Sequence, residues 1–482
     1  MSIDPSWEMV IGLEVHCELA TQTKLFCACR NAFGDEPNTN ICPVCLGLPG
    51  SLPVLNAQAV ELAMRIGLAL HCEVKPSTFS RKNYFYPDQP KDYQISQYDE
   101  PINLGGWLEL PDGFRVGVTR AHMEEDTGKL THVGAGGRIN SAHHALVDYN
   151  RAGVPLVEIV SEPDMQTAAQ ARAYAAELRG ILVATCASDG RMEEGSMRVD
   201  ANVSVRPVGT EAFGTRCEIK NLNSLRSLGR AIDYEAARQV ALIESGERVA
   251  QETRHWDEAA GRTESMRSKE EANDYRYFPE PDLVPLVPDA AWQERVRSSL
   301  GPMPADRRAA LVGALGGTAS NAESDQIRAV VDLGLDALVS AAVDSGAPAA
   351  LALARAANEV AAASDKGLQL PVASFAALIV LESSGALSAT QSKAVLASML
   401  EDGGGDPAVL AKDMGFEALS ADTLVAAVAD VVAAHPDEWA RYVAGEDKVI
   451  GRLTGEVMKA TAGQADGKDV AAELRRLRDQ AS

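Results

Sequence analysis

From Ile11 to Leu19 the chain alternates without a break, with Ile11, Leu13, Val15, Cys17 and Leu19 on one side and Glu14, His16 and Glu18 on the other. A period of two marks a strand buried on one face. Met197 to Val205 repeats it, turning Met197, Val199, Ala201 and Val203 inward and Arg198, Asp200, Asn202 and Ser204 outward. Two shorter runs put Arg120, His122 and Glu124 on one face, and Arg216, Glu218 and Lys220 around Cys217 and Ile219. Such strands belong to an antiparallel sheet with one face covered and one open. In pattern alone, a solvated face reads the same way. The choice of side chains argues for a site: Glu, Asp, His and Asn offer short oxygen and nitrogen ligands suited to Mg²⁺, and the interspersed Arg and Lys suit phosphate oxygens.

The sheet does not extend through the whole chain. Of 24 Phe, Trp and Tyr residues, only Phe375, Phe416, Trp439 and Tyr442 lie beyond Trp292, and all eight cysteines lie at or before Cys217. The remainder is rich in Ala, Leu, Val and Asp at helical spacing. Ser320 with Glu323, and Ser388 with Gln391, have capping-box spacing ahead of apolar-periodic segments, and Gly403-Gly404-Gly405 reads as a helix stop or hinge. At 482 residues the chain is longer than the ~100–200 of one domain. The expected fold is α+β: an antiparallel-sheet cradle over 1–293, an all-α helical domain over 294–405, and a small helical tail over 406–482. No repeat of fixed period points to a solenoid.

Composition removes several function classes. Neither a transmembrane run of ~18 apolar residues nor a signal peptide is present, so a cytoplasmic protein with no membrane association is expected. Eight cysteines are too sparse for a disulfide scaffold. A net charge of −23 excludes a chain that coats nucleic acid through its overall field, leaving local contacts. There is no GxxxxGK[ST] loop, no GxGxxG and no GxSxG elbow, so any use of ATP must go through carboxylate-held metal.

Three segments carry the remaining chemistry. His122-Met123-Glu124-Glu125-Asp126 sets adjacent carboxylates beside a histidine, which repel unless a cation or base offsets them. Arg81 to Asp88, continuing through Lys91, Tyr93 and Gln94, interleaves bases with aromatics; it suits stacking on a base, or an ordered loop pinned by Pro87 and Pro90. Cys27-x-Cys29 and Cys42-x-x-Cys45, twelve residues apart, have near two-knuckle spacing for a closed structural zinc site, with four unliganded thiols as the alternative. Cys17, Cys72, Cys186 and Cys217 read as core. In the tail, residues 401–447 carry 2 Lys/Arg against 11 Asp/Glu and residues 448–482 carry 7 against 5, a reversal that points to a local phosphate contact.

Gly12-Leu13-Glu14-Val15-His16, Arg81 to Asp88, His122 to Asp126, and Asp148 to Ile159 resemble the GatB family, the B-type component of the aspartyl/glutamyl-tRNA amidotransferase. Met192 to Ser196, Lys220 to Ser224, Asp274 to Asp282, Met458-Lys459-Ala460 and Gly463-Gln464-Ala465 extend the resemblance over nearly the whole chain. The stretch from Gly134 to His144 sits where the family is expected to vary in length. The resemblance implies a glutamine-synthetase-like catalytic fold, a YqeY-like tRNA-binding tail, and a heterotrimer with the amidase subunit and the small third subunit of the amidotransferase. It implies ATP-dependent transamidation of misacylated tRNA(Gln) and/or tRNA(Asn), a ligase reaction of translation, with Mg²⁺ as cofactor; the structural zinc is expected from the cysteine spacing of this chain. By motif position His16 and Glu125 are the expected catalytic residues and Lys82 the nucleotide-binding one. Glu14, His16, Glu124, Glu125, Asp200 and Glu218 are the expected Mg²⁺ ligands; the cysteine spacing makes Cys27, Cys29, Cys42 and Cys45 the expected zinc ligands, and Lys459 in the tail motif with Arg475, Arg476 and Arg478 after the charge reversal are the expected tRNA contacts. From the residues alone, a free-standing carboxylate–amine ligase and a non-catalytic tRNA-binding adaptor stay open.

Overall fold

The computed structural model describes residues 3–134, 142–266, 275–363, 365–416, 421–461, 465 and 467–481. Most of the Gly134 to His144 stretch, with Asp274, Gly463 and Gln464, lies outside them. The chain divides into two compact units, Met1–Met303 and Pro304–Ser482.

Among its described residues the first unit holds fourteen strands: β1 (Trp7–Glu18), β2 (Glu73–Val74), β3 (Thr78–Asn83), β4 (Tyr93–Glu100), β5 (Asn103–Glu109), β6 (Arg115–Glu125), β7 (Lys129–Gly134), β8 (Ala142–Asp148), β9 (Pro155–Ser161), β10 (Met197–Pro207), β11 (Cys217–Leu222), β12 (Thr253–Asp257), β13 (Arg262–Ser265) and β14 (Phe278–Pro279). Twelve form one sheet, along the path β13-β12-β11-β10-β1-β9-β6-β4-β3-β14 with β2 and β5 beside it; β7 and β8 pair separately. β1 is central, pairing antiparallel with β10 (Glu14 opposite Asp200, His16 opposite Arg198) and with β9 (His16 opposite Glu158). β6 follows, with His122 also opposite Glu158.

The alternation holds residue by residue. Ile11, Leu13, Val15, Cys17 and Leu19 join Met197, Val199, Ala201 and Val203 in one core. Helices α1 (Ala57–Ala69), α2 (Ala168–Ala184), α3 (Leu225–Glu244) and α4 (Ala290–Ser298) contribute their apolar faces to that core. One pairing departs from the expected antiparallel sheet: β11 and β12 are parallel. A parallel neighbour needs a crossover, and α3 supplies it between the two strands. Cys17, Cys72 and Cys217 are buried as expected, but Cys186 is exposed: it follows the end of α2 at φ 55, outside the core.

The second unit is helical, and its buried apolar residues form two separate clusters, one from Leu311 to Ala411 and one from Val428 to Leu474. Ser320–Glu323 and Ser388–Gln391 both close full capping boxes, and Gly403 at φ 74 ends the helix Ala389–Asp402 in the left-handed conformation. No helix of the described residues is long and apolar enough to cross a membrane.

Candidate functional site

Because the helices cover one face of the sheet, the polar residues of β1, β6, β9, β10 and β11 gather on the other. At its centre His16, Glu124 and Glu158 place ligand atoms within 4.8 Å of one another. His16 Nε2 lies 3.9 Å from Glu124 and 3.8 Å from Glu158, while His122 Nε2 lies 3.6 Å from Glu158. His122 is fully buried, and neither of its ring nitrogens has a hydrogen-bond partner.

Burial, with Arg198 and Lys220 nearby, pushes the His16 imidazole down to about 3, leaving a neutral ring at pH 7. Burial, reinforced by Glu124 and Glu14, pushes the Glu158 carboxyl up to about 8, and burial also raises Glu124 against the pull of Lys82. Neutral imidazoles beside carboxyls whose ionisation burial opposes form a donor set whose ionised state a bound cation would stabilise. The mixed oxygen and nitrogen donors fit a divalent ion of the Mg²⁺ or Mn²⁺ kind.

Other expected residues are placed differently. Glu125 is the main correction: consecutive strand residues point to opposite faces, so with Glu124 on the open face Glu125 turns to the back. There it pairs with Lys91, whose Nζ lies 2.6 Å from Oε1. Asp200 and Glu218 share Lys220, 2.9 Å from each, rather than joining His16. Glu14 sits further along β1 and accepts a hydrogen bond from Asn202 at 2.9 Å. Lys82 reaches the open face: its charge acts on His16, Glu124 and Glu158, and its Nζ lies 4.9 Å over the Tyr275 ring. Arg81, by contrast, is held by Glu280 at 2.6 and 2.8 Å.

Beyond Glu14 the face opens into a cavity of about 460 Å³ lined by Val10, Gly12, Ser204, Phe213 and Arg216 among others. On the other side of His16, Arg198 donates to Asp126 at 2.9 Å and lies 3.9 Å from Glu18. Burial opposes it, but Arg198 and Arg151 still hold Asp126 low, while burial and Asp126 together push Glu18 up to about 8.

Glu158 was not among the residues expected at the site, and His122 and Lys91, singled out within their segments, were assigned no role there. Glu158 had a signal: it is a lone carboxylate in the apolar run Val154 to Val160, and such a group is buried only with a partner or a purpose.

Cys27, Cys29, Cys42 and Cys45 form a second cluster, again within 4.8 Å. The Cys42 amide donates to Cys45 Sγ at 3.1 Å, and the Cys27 thiol helps hold Cys45 well below the usual thiol range, toward the thiolate a metal takes. The set fits a closed tetrathiolate. Purified protein should carry about one equivalent of zinc, and Cys42→Ser should lose it; metal analysis returning folded, zinc-free protein would overturn the assignment.

In the tail, Arg476 pairs with Glu473 at 2.6 Å, Arg478 with Asp447 at 2.8 Å, and Lys459 with Glu456 at 3.0 Å; Arg475 is exposed.

A sheet with one helix-covered face and an open face bearing clustered His and Glu, followed by a helical unit, defines a catalytic component with an appended helical region. Residues 9–294 match the GatB/GatE catalytic domain family, and residues 338–477 match the GatB domain family. The chain is 51% identical to the B subunit of the aspartyl/glutamyl-tRNA(Asn/Gln) amidotransferase of Frankia casuarinae, over 98% of this chain and 95% of that protein. Similar proteins of the same name occur in a Mycobacterium species (51% identity, 96% of this chain, 95% of that protein) and Gloeobacter violaceus (49%, 95% and 84%). The chain belongs to the GatB family, the B subunits of aspartyl/glutamyl-tRNA amidotransferases.

Proposed function

We propose that the open face activates a side-chain carboxylate for amide formation on misacylated tRNA: the γ-phosphoryl group of ATP is transferred to the Glu or Asp side chain esterified to tRNA, and ammonia displaces the phosphate. A bare carboxylate resists attack because the incoming electron pair adds to an already anionic group; an acyl phosphate gives that pair a leaving group. The observation that carries this reading is the joining of His16, Glu124 and Glu158 on one face, beside Lys82 and the cavity past Glu14.

In this reading His16, Glu124 and Glu158 hold the divalent ion, with Glu14 toward the cavity and Asp200 and Glu218 ordered by Lys220. Bound there, Mg²⁺ would offset charge on the phosphate oxygens. Lys82 pairs with a phosphate oxygen, and the cavity past Glu14 has the volume for a nucleoside. Arg198 holds the Asp126 carboxylate beside the cation site, so that its charge does not collapse onto it.

The relatives' name makes them one component of a larger enzyme. The sequence has no glycine-rich Ser-Ser-Lys stretch of the kind an amidase uses, so ammonia comes from a partner amidase, with a small third subunit completing a cytoplasmic heterotrimer. Tail residues Lys459, Arg475, Arg476 and Arg478 are assigned to tRNA phosphate. Arg476 and Lys459 pair with Glu473 and Glu456, each three residues away on its own helix, and Arg478 pairs with the exposed Asp447; phosphate can replace such pairs at little cost.

Co-expression with the amidase and small subunits, followed by product analysis on Glu-tRNA(Gln) and Asp-tRNA(Asn), tests the reading. The amidated aminoacyl-tRNA should appear only with ATP and glutamine present, and deletion from Lys448 onward should raise the KM for charged tRNA without changing glutamine hydrolysis measured without tRNA. Amidation of free glutamate at a comparable rate would instead support a small-molecule ligase.

A further inference from the structure

Behind the site, the loop that carries Cys42 and Cys45 closes on Lys91. Gly47, at φ +65, comes so near that a Cβ there would lie 2.6 Å from Lys91 Cγ and 3.2 Å from its Cα and Cβ. The Lys91 side chain is 8% exposed and its ammonium sits on the Glu125 carboxylate, itself 3% exposed. Glu125 then ties β6 to β4: Oε2 accepts the Ile95 amide at 3.2 Å, and the Glu125 carbonyl accepts the Gln94 side-chain amide at 2.5 Å. Gly153 stands between the same loop and Glu125. A Cβ on Gly153, at φ +84, would lie 3.6 Å from both Cys45 Cβ and Glu125 Oε1 and 3.7 Å from Lys24 Cδ. Lys24 is fully buried and donates from Nζ to the Tyr149 carbonyl at 3.2 Å.

These contacts run in one direction, from the cysteine loop through Lys91 and Glu125 to the end of β6, where the preceding residue, Glu124, faces His16 and Glu158. A buried ion pair repays its desolvation only in good geometry, and here the geometry depends on a wall. Without Gly47 against its stem, the four-carbon Lys91 chain has room to leave Glu125.

We propose that the four-cysteine loop is a positioning device for the cation site: by closing Gly47 on Lys91 it keeps Lys91 on Glu125, and that pair fixes Glu124 toward His16 and Glu158. Gly47 and Lys91 are thus positioning residues, acting through Glu125. The last link, to cation binding, rests on the reading of His16, Glu124 and Glu158 as a cation site.

The test uses the full chain and two glycine variants from the same loop. Gly47→Ala adds a Cβ against Lys91; Gly50→Ala imposes a comparable backbone penalty, at φ +85, with nothing within 4 Å of the new Cβ. Hydrogen–deuterium exchange at the Ile95 amide reports the Glu125 anchor, and Mn²⁺ binding reports the cation site. Gly47→Ala should speed Ile95 exchange and weaken Mn²⁺ binding, each by about tenfold, the scale of losing an outer-shell support; Gly50→Ala should change neither. In a Lys91→Met background, which already frees Glu125, Gly47→Ala should add nothing further. Equal effects from the two glycine variants, or none from Gly47→Ala, would overturn the proposal. A wild-type chain that binds no Mn²⁺ would sink the cation reading alone, while Ile95 exchange would still decide whether the loop holds the pair.

Discussion

Glu158→Gln, assembled with the amidase and small subunits, is expected to lose transamidation by about 10²–10³-fold, the scale of removing one preorganised electrostatic partner, while hydrolysing glutamine normally. The substitution is informative because Glu158 is a carboxyl that burial, Glu124 and Glu14 push up to about 8. At pH 7 without a cation it holds its proton, and glutamine copies that neutral shape, so the fold is preserved. What glutamine cannot do is ionise when the cation arrives. The pH dependence follows with a definite sign: cation binding must displace the proton, so wild-type Mn²⁺ affinity should rise as pH climbs toward 8, and Glu158→Gln should lose that part of the slope. Following labelled γ-phosphate separates activation from ammonia attack, and the variant should fail at activation. Normal phosphorylation of Glu-tRNA by Glu158→Gln would show that this carboxylate does not hold the ion. His16→Ala should fail at the same step, because the neutral imidazole supplies the third donor.

How far such a site is visible beforehand depends on the local period. β1 and β10 bury one face only, so alternation displays both core and site, and Glu14, His16 and Asp200 are found where the pattern puts them. The capping boxes at Ser320 and Ser388 are equally visible because each is a contact between residues three apart. β9 is buried on both sides at its centre, so its apolar run hides the strand period, and Glu158 with it. Glu125 is misread for the opposite reason: a dense acidic motif invites grouping of neighbours that a strand must separate. The pairing partner that corrects it, Lys91, comes from a loop 34 residues away, and no local pattern carries that information. The parallel β11–β12 pair is hidden in the same way, since a strand's period does not reveal its neighbour's direction.

Gly67→Ala is expected to destabilise the first unit by about 4 kcal/mol, although alanine is the better helix former by about 1 kcal/mol. Gly67 lies in α1 where it crosses Asn103 of β5, and a Cβ there would fall 1.9 Å from Asn103 Oδ1 and 2.2 Å from Cγ. Asn103 cannot retreat freely. It is fully buried, and its amide nitrogen donates to the Ala63 carbonyl of α1 at 2.9 Å and the Ala121 carbonyl of β6 at 3.1 Å, joining helix to sheet. Displacing it abandons two buried hydrogen bonds at roughly 1–3 kcal/mol each and adds strain from overpacking of about 1–3 kcal/mol. These losses exceed the helix gain, and the thermal midpoint should fall by roughly 10 °C. Gly313→Ala makes the contrast: in the helix Pro304–Ala314, with nothing within 4 Å of the new Cβ, the same change should be neutral or stabilising by up to about 1 kcal/mol. Combining Gly67→Ala with Asn103→Ala restores the space, so the double variant should be no less stable than Asn103→Ala alone. If Gly67→Ala melts with the wild type, the side chain of Asn103 has somewhere to go, and the link it makes between α1 and the strand carrying Glu124 is not a rigid one.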